Sequence, residues 1–252
     1  MSFPALTGEA SAADAAAPTR TGTAWGRDRP KPLPLGLGAL DARLPDAGLP
    51  RGAVVELCAP PLGAGGLGQA TRLALGACRA AQTEARSALG TGHERGWCAW
   101  IDATGSLYAP GARAAGVDLE RLLVVRPPSA VVGRTAVRVA QSQLFAVLVV
   151  DHAGIPGADL HDAERSSPAR LALAGPDARR GRERWDLVVR RLALAIEGSD
   201  TTVVLLTRPS PHPLPVALRL ELACPAPREL RLLVGKERHG RLGGPYSVAI
   251  GY

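Results

Sequence analysis

Short, nearly unbroken apolar runs alternate along this chain with longer stretches in which apolar residues recur every three or four positions. Ala53-Val54-Val55-Glu56-Leu57-Cys58, bounded by turn formers, predicts a buried strand. From about Leu67 to Arg86, apolar residues fall at Leu67, Ala70, Leu73, Ala74, Ala77 and Ala81, the spacing of one helix face. Further strands are predicted at Trp97 to Asp102, Leu122 to Val125, Phe145 to Val150, Thr202 to Leu206, Leu218 to Leu222, Leu230 to Val234 and Ser247 to Ile250, with helices between several of them. Valine- and leucine-rich runs of this kind need cover on both faces, which predicts an α/β fold with a mostly parallel twisted sheet flanked by helices. Short polar turns join the last three strands and predict an antiparallel C-terminal extension.

Residues 1–34 carry neither period and are rich in Ala, Thr and Pro, so they are expected to form a loosely attached or disordered arm ahead of a single domain over residues 35–252. A length of 252 residues suits one large core. No apolar run approaches the roughly 20 residues needed to span a bilayer, and the start lacks the basic, apolar and small-residue blocks of a secretory signal. A cytoplasmic, membrane-free protein is expected. Cys58, Cys78, Cys98 and Cys224 stand far apart with no histidine at ligand spacing, which predicts neither zinc nor a disulfide.

The formal net charge is +7, and of 30 basic residues only Lys31 and Lys236 are lysines. Such a balance favours polyanionic partners, DNA first among them. Arginines concentrate in the polar stretch after the Phe145 strand and in the helix that follows, at Arg165, Arg170, Arg179, Arg180, Arg182 and Arg184. This density suits phosphate contacts or a solvated tether, and Asp159, Asp162, Glu164, Asp177 and Glu183 dilute it.

The first strand leads into Gly63-Ala64-Gly65-Gly66-Leu67-Gly68-Gln69-Ala70 and then a helix. A phosphate-binding loop requires G-x-x-x-x-G-K-[ST] in that setting: backbone N–H groups close on phosphates, lysine neutralises them, and the hydroxyl holds Mg²⁺. Gly63 and Gly68 keep the glycine frame, whereas Gln69 stands at the lysine position and Ala70 at the hydroxyl position. Residues 52–71 contain no basic residue that realignment could recruit. Losing that charge removes on the order of several kcal/mol of attraction for a triphosphate, even at an effective dielectric near 20. A second nucleotide landmark, an apolar strand ending in an acid, is supplied by Asp151.

Gly36-Leu37-Gly38-Ala39-Leu40-Asp41, followed by the segment from Gly48 to Leu57, resembles the entry to the RecA ATPase core, and Trp100-Ile101-Asp102-Ala103 with the segment Gly116 to Leu123 resembles its second strand and following helix. The resemblance implies a RecA-like P-loop core. It also implies that Thr104, two residues after Asp102, occupies the place of the catalytic glutamate, and that Lys236 and Arg238 match a basic pair that RecA-like subunits present to a neighbour's γ-phosphate. Among RecA-like proteins, a short chain with a degenerate loop and a Pro-rich arm is similar to the ImuA family. That likeness implies a non-catalytic accessory role in SOS mutagenesis and translesion synthesis. Its implied partners are RecA, an ImuB-like polymerase-like protein, an error-prone polymerase and DNA, in a nucleoid-associated setting and with no cofactor. Two other readings stay open: a DNA-dependent ATPase in which Thr71 and Arg72 replace the missing groups, and a protein that binds DNA mainly through its arginines.

Overall fold

The computed structural model describes residues 31–60, 66–87, 96–151, 176–210, 214–226 and 228–249; within the helix Pro176–Ala195, side chains are described from Trp185 onward. Residues 1–30 of the expected arm and the turn at Gly63 lie outside these residues. In chain order the elements are α1 (Gly38–Asp41), β1 (Ala53–Cys58), α2 (Gly66–Ser87), β2 (Cys98–Ile101), α3 (Ala109–Ala114), β3 (Leu122–Val125), α4 (Val132–Gln141), β4 (Val147–Asp151), α5 (Pro176–Ala195), β5 (Thr202–Thr207), β6 (Leu218–Ala226), β7 (Glu229–Glu237) and β8 (Gly243–Ala249).

The strands form one eight-stranded sheet in the order β3-β2-β4-β5-β1-β6-β7-β8. All pairings from β3 across to β6 are parallel, and β7 and β8 are added antiparallel. The protein is therefore an α/β protein with a mostly parallel sheet and an antiparallel C-terminal part. β1, β4 and β5 are buried along their whole length, which explains why their sequences are apolar on both faces.

Alternation along each strand divides the core in two. Val55, Leu57, Trp100, Val147, Val149, Val204 and Leu206 face α2, where Leu73, Ala74, Ala77 and Cys78 meet them. Val54, Ile101, Leu148, Val150, Val203 and Leu205 face α4 and α5, meeting Val132, Ala136, Val189, Leu192 and Ile196. Cys58, Cys78 and Cys98 are buried free thiols and Cys224 a half-buried one, and the thiol of Cys98 donates to the Cys78 carbonyl at 3.7 Å.

The folded body begins ahead of the change of texture at Leu35. Leu33 is fully buried and exchanges backbone hydrogen bonds with Leu49, at 2.8 and 2.6 Å. Leu35 follows it across α2, and contact is close because Gly76 has no side chain: a Cβ there would collide with the Leu35 carbonyl oxygen. Asp41 then fixes the turn into α1 by accepting from the N–H groups of Leu35 at 2.6 Å and Leu37 at 3.1 Å. These contacts carry the segment preceding β1 across the sheet and deliver the chain to the strand that leads into the glycine loop.

Candidate functional site

In parallel sheets, ligands gather at the carboxyl ends of the strands, where loops and helix N-termini converge. Here that edge collects the first turn of α2 after β1, Asp102 just after β2, Asp151 at the end of β4 and Thr207 at the end of β5. Because β5 lies between β1 and β4, Asp151 stands two strand spacings from β1, or about 10 Å.

Gln69 and Ala70 belong to the packing of α2. Gly68 is exposed, Gln69 is 9% exposed, and Ala70 is fully buried in the core facing the sheet. The amide oxygen of Gln69 has no hydrogen-bond partner among the described residues. Thr71, one position later, donates its hydroxyl to the Leu67 carbonyl of the preceding helical turn at 3.2 Å. Its oxygen is thus engaged in its own helix, an ordinary bond for a helical threonine.

The acid at the end of β4 is bridged to the neighbouring strand. Asp151 and Asp102 are buried, and the Ser106 hydroxyl donates to Asp151 Oδ2 at 2.8 Å. The Ser106 N–H donates to Asp102 Oδ1 at 2.8 Å, the Leu107 N–H to Asp102 Oδ2 at 3.2 Å, and Arg126 Nε to the same oxygen at 3.3 Å. Asp102 is therefore a cap for the loop of residues 103–107, neutralised by an arginine that stands largely in solvent. Thr104 sits exposed in that loop. A threonine hydroxyl there cannot take a proton from water as a carboxylate does. Among the described residues no group of three or more histidines, cysteines or acids gathers in a way that could hold a metal ion.

Under the same edge, on the face opposite α2, lies a polar cluster that periodicity does not reveal. Glu56, in the central strand, accepts from the Thr207 hydroxyl at 2.7 Å, and Arg219 Nη1 stands 3.7 Å from its other oxygen. Arg219 also reaches Cys58 Sγ at 3.5 Å and Glu221 at 3.1 Å. Burial pushes the Glu56 carboxyl above its ordinary value, while Arg219 and Thr207 pull it back. Burial likewise pushes the Cys58 thiol up to about 11, so it stays protonated and unreactive at neutral pH.

The basic pair expected near the chain's end is placed elsewhere. Lys236 lies opposite Arg219, itself opposite Glu56, and donates to the Leu214 carbonyl at 3.1 Å. Arg238 is exposed, its N–H bonded to Ala217, whose own N–H reaches Val54 near the start of β1. Lys236 thus sits at the level of Glu56, beside the Glu56–Arg219 cluster, while Arg238 stands toward the amino ends of the parallel strands, opposite to the end of β1 from which the glycine loop leaves. Of the expected contact arginines, Arg165 and Arg170 lie outside the described residues. Arg179, Arg180, Arg182 and Arg184 fall within α5, with their side chains outside the described set.

The structure therefore brings Gln69, Ala70, Thr104 and Asp151 to one edge of the sheet, sets Arg238 apart from them, and places Lys236 beside the Glu56–Arg219 cluster. Asp102, Ser106 and Arg126 are site residues that the sequence reading did not assign. Asp102 had one visible signal, an acid closing an apolar strand, as at Asp151. No family model and no curated protein matches the chain.

Proposed function

We propose that this protein is a RecA-like accessory factor of the DNA-damage response that works by binding rather than by hydrolysing ATP, in translesion synthesis or in the control of recombination. The observation that carries the reading is the state of the two carboxylate positions at the nucleotide edge: Asp151 receives the Ser106 hydroxyl, and the exposed residue two after Asp102 is a threonine. A buried glutamine and a core alanine at the head of α2 support it, because neither the charge nor the hydroxyl that phosphate and Mg²⁺ require is supplied there. The sheet order, with the glycine loop after β1 and Asp151 two strands away, agrees with the P-loop core that the sequence resembles. Arg238, exposed and toward the amino ends of the parallel strands, suits contact with a neighbouring protein or with nucleic acid.

In this reading the protein presents a RecA-type surface to RecA, to an ImuB-like protein or to an error-prone polymerase. Immobilised full-length protein tests it against purified RecA and the mutagenic polymerase components, with and without DNA. Retention of at least one of them without DNA or nucleotide is the expected result. Absence of retention under all conditions overturns the proposal, and retention that depends wholly on DNA favours the reading in which arginines bind DNA.

A further inference from the structure

At the far end of the sheet from β3, β8 is an edge strand paired, among the described residues, with β7 alone. A groove of about 400 Å³ runs along it, lined on one side by Ala39 and Arg43 and on the other by residues 245–249. The volume falls in the range that holds small ligands and short peptide side chains. Arg43 is the single formal charge of this lining. Its guanidinium carbon stands 5.8 Å from the centre of the Tyr246 ring, a cation–π distance that holds the head group beside the strand. Among the described residues Arg43 has no acidic partner, although other exposed arginines such as Arg241 are tied to carboxylates.

We propose that β8 takes up an extended, acidic segment of a partner protein as a ninth strand, with a carboxylate of that segment on Arg43. An edge strand offers a row of backbone donors and acceptors that an extended segment can pair at one strand spacing. Gly243, Gly244 and Pro245 offer little side chain at the start of β8, and Pro245 has no N–H, so the pairing runs along Tyr246 to Ala249. The unpaired arginine selects the charge of the occupant, since a guanidinium–carboxylate contact is stronger than a neutral one and Arg43 is already oriented for it. A second copy of the chain is a poorer occupant: its own β8, Gly243–Ala249, contains no acid to place on Arg43. The inference stands apart from the nucleotide edge and does not depend on how that edge is read.

Fluorescein-labelled heptapeptides of alternating Val and Thr, with Glu, Gln or Lys at the centre, test it by anisotropy titration of the full-length protein. The Glu peptide should bind about tenfold more tightly than the Gln peptide, with the Lys peptide weakest. Arg43→Gln, at an exposed position, should leave the fold intact and erase the preference for Glu. Methylating the backbone nitrogens of the Glu peptide should abolish binding, and hydrogen exchange should slow at residues 246–249 when the unmodified peptide is bound. Equal binding of the three peptides, binding that survives N-methylation, or no binding at about millimolar peptide overturns the proposal. Protection of β8 that grows with protein concentration alone assigns the edge to a second copy, and protection produced by an oligonucleotide assigns it to DNA; either result also overturns the proposal.

Discussion

The Ser106 hydroxyl lies 2.8 Å from Asp151 Oδ2 while its backbone N–H lies 2.8 Å from Asp102 Oδ1, so one serine ties the carboxyl ends of β4 and β2 together across 45 residues of sequence. If the proposed P-loop reading holds, an acid at this place would help to hold Mg²⁺ in an active enzyme. Here the acid has a protein donor in place, and the loop that supplies it is in turn capped by Asp102.

Ser106→Ala should cost about 0.5–1.5 kcal/mol, the usual net value of one hydrogen bond, because the Asp102 contacts to backbone N–H groups remain. Urea unfolding measures this. A loss several times larger would mean that the bridge organises the whole edge.

Breaking the Glu56–Arg219 pair should be far more damaging. Both side chains are buried, so Arg219→Leu strands a carboxylate in the central strand and should cost roughly 3–5 kcal/mol, whereas pairing it with Glu56→Leu should recover most of the loss. Comparing the two single variants with the double variant in urea provides the check. A double variant as unstable as the worse single one contradicts the account.

Gly76→Ala should destabilise the protein by roughly 1–3 kcal/mol, since the added methyl group drives Leu35 off α2, even though alanine favours helix by about 1 kcal/mol. Thermal unfolding should show a lower Tm. An unchanged or raised Tm would mean that the segment around Leu35 is free to lift away.

Acid stability should report on Glu237. Burial opposes its ionisation, but the Arg241 guanidinium and the N–H groups of Arg241 and His239 outweigh burial and lower its carboxyl from 4.5 to about 2. A carboxyl depressed in the folded state stabilises the fold above its unfolded value, and this contribution is lost as pH falls from about 4.5 toward 2. Asp41 and Glu56 are raised by burial and act in the opposite sense, their contributions being present in acid and lost as pH rises through their folded values. Glu237→Gln should therefore destabilise the protein at pH 7 and much less near pH 2, as followed by urea unfolding across that range. A difference independent of pH would contradict the assignment.

The strands most legible in the sequence are those whose burial on both faces leaves no polar interruption. β1 spans the predicted run Ala53 to Cys58, and β4 and β5 fall within a residue or two of theirs. α2 was legible because Ala70, Leu73, Ala74 and Ala77 all face the sheet. The outer strands were read too short: β6 continues to Ala226 and β7 runs from Glu229 to Glu237, where antiparallel pairing of β7 with β6 and β8, rather than apolar pattern, sustains the strands. At the carboxyl edge of the sheet, the strand-to-helix passage from β1 to α2 and the acid closing β4 were legible. Ser106, Arg126 and Arg219 were not, since they act through partners dozens of residues away and nothing local marks a serine or an arginine as the mate of a particular buried acid. Leu33 was not legible as a buried residue for the same reason: it sits among prolines, and its burial follows from pairing with Leu49.

The central proposal is that the carboxyl edge of the sheet does not run an ATPase cycle. Phosphate release from ATP and Mg²⁺, measured with the full-length protein alone and with single-stranded DNA, and repeated with Asp151→Ala, tests it most directly. The account predicts release at the background rate in every case, with no change on adding DNA or on substituting Asp151. DNA-stimulated release that disappears in Asp151→Ala would contradict it.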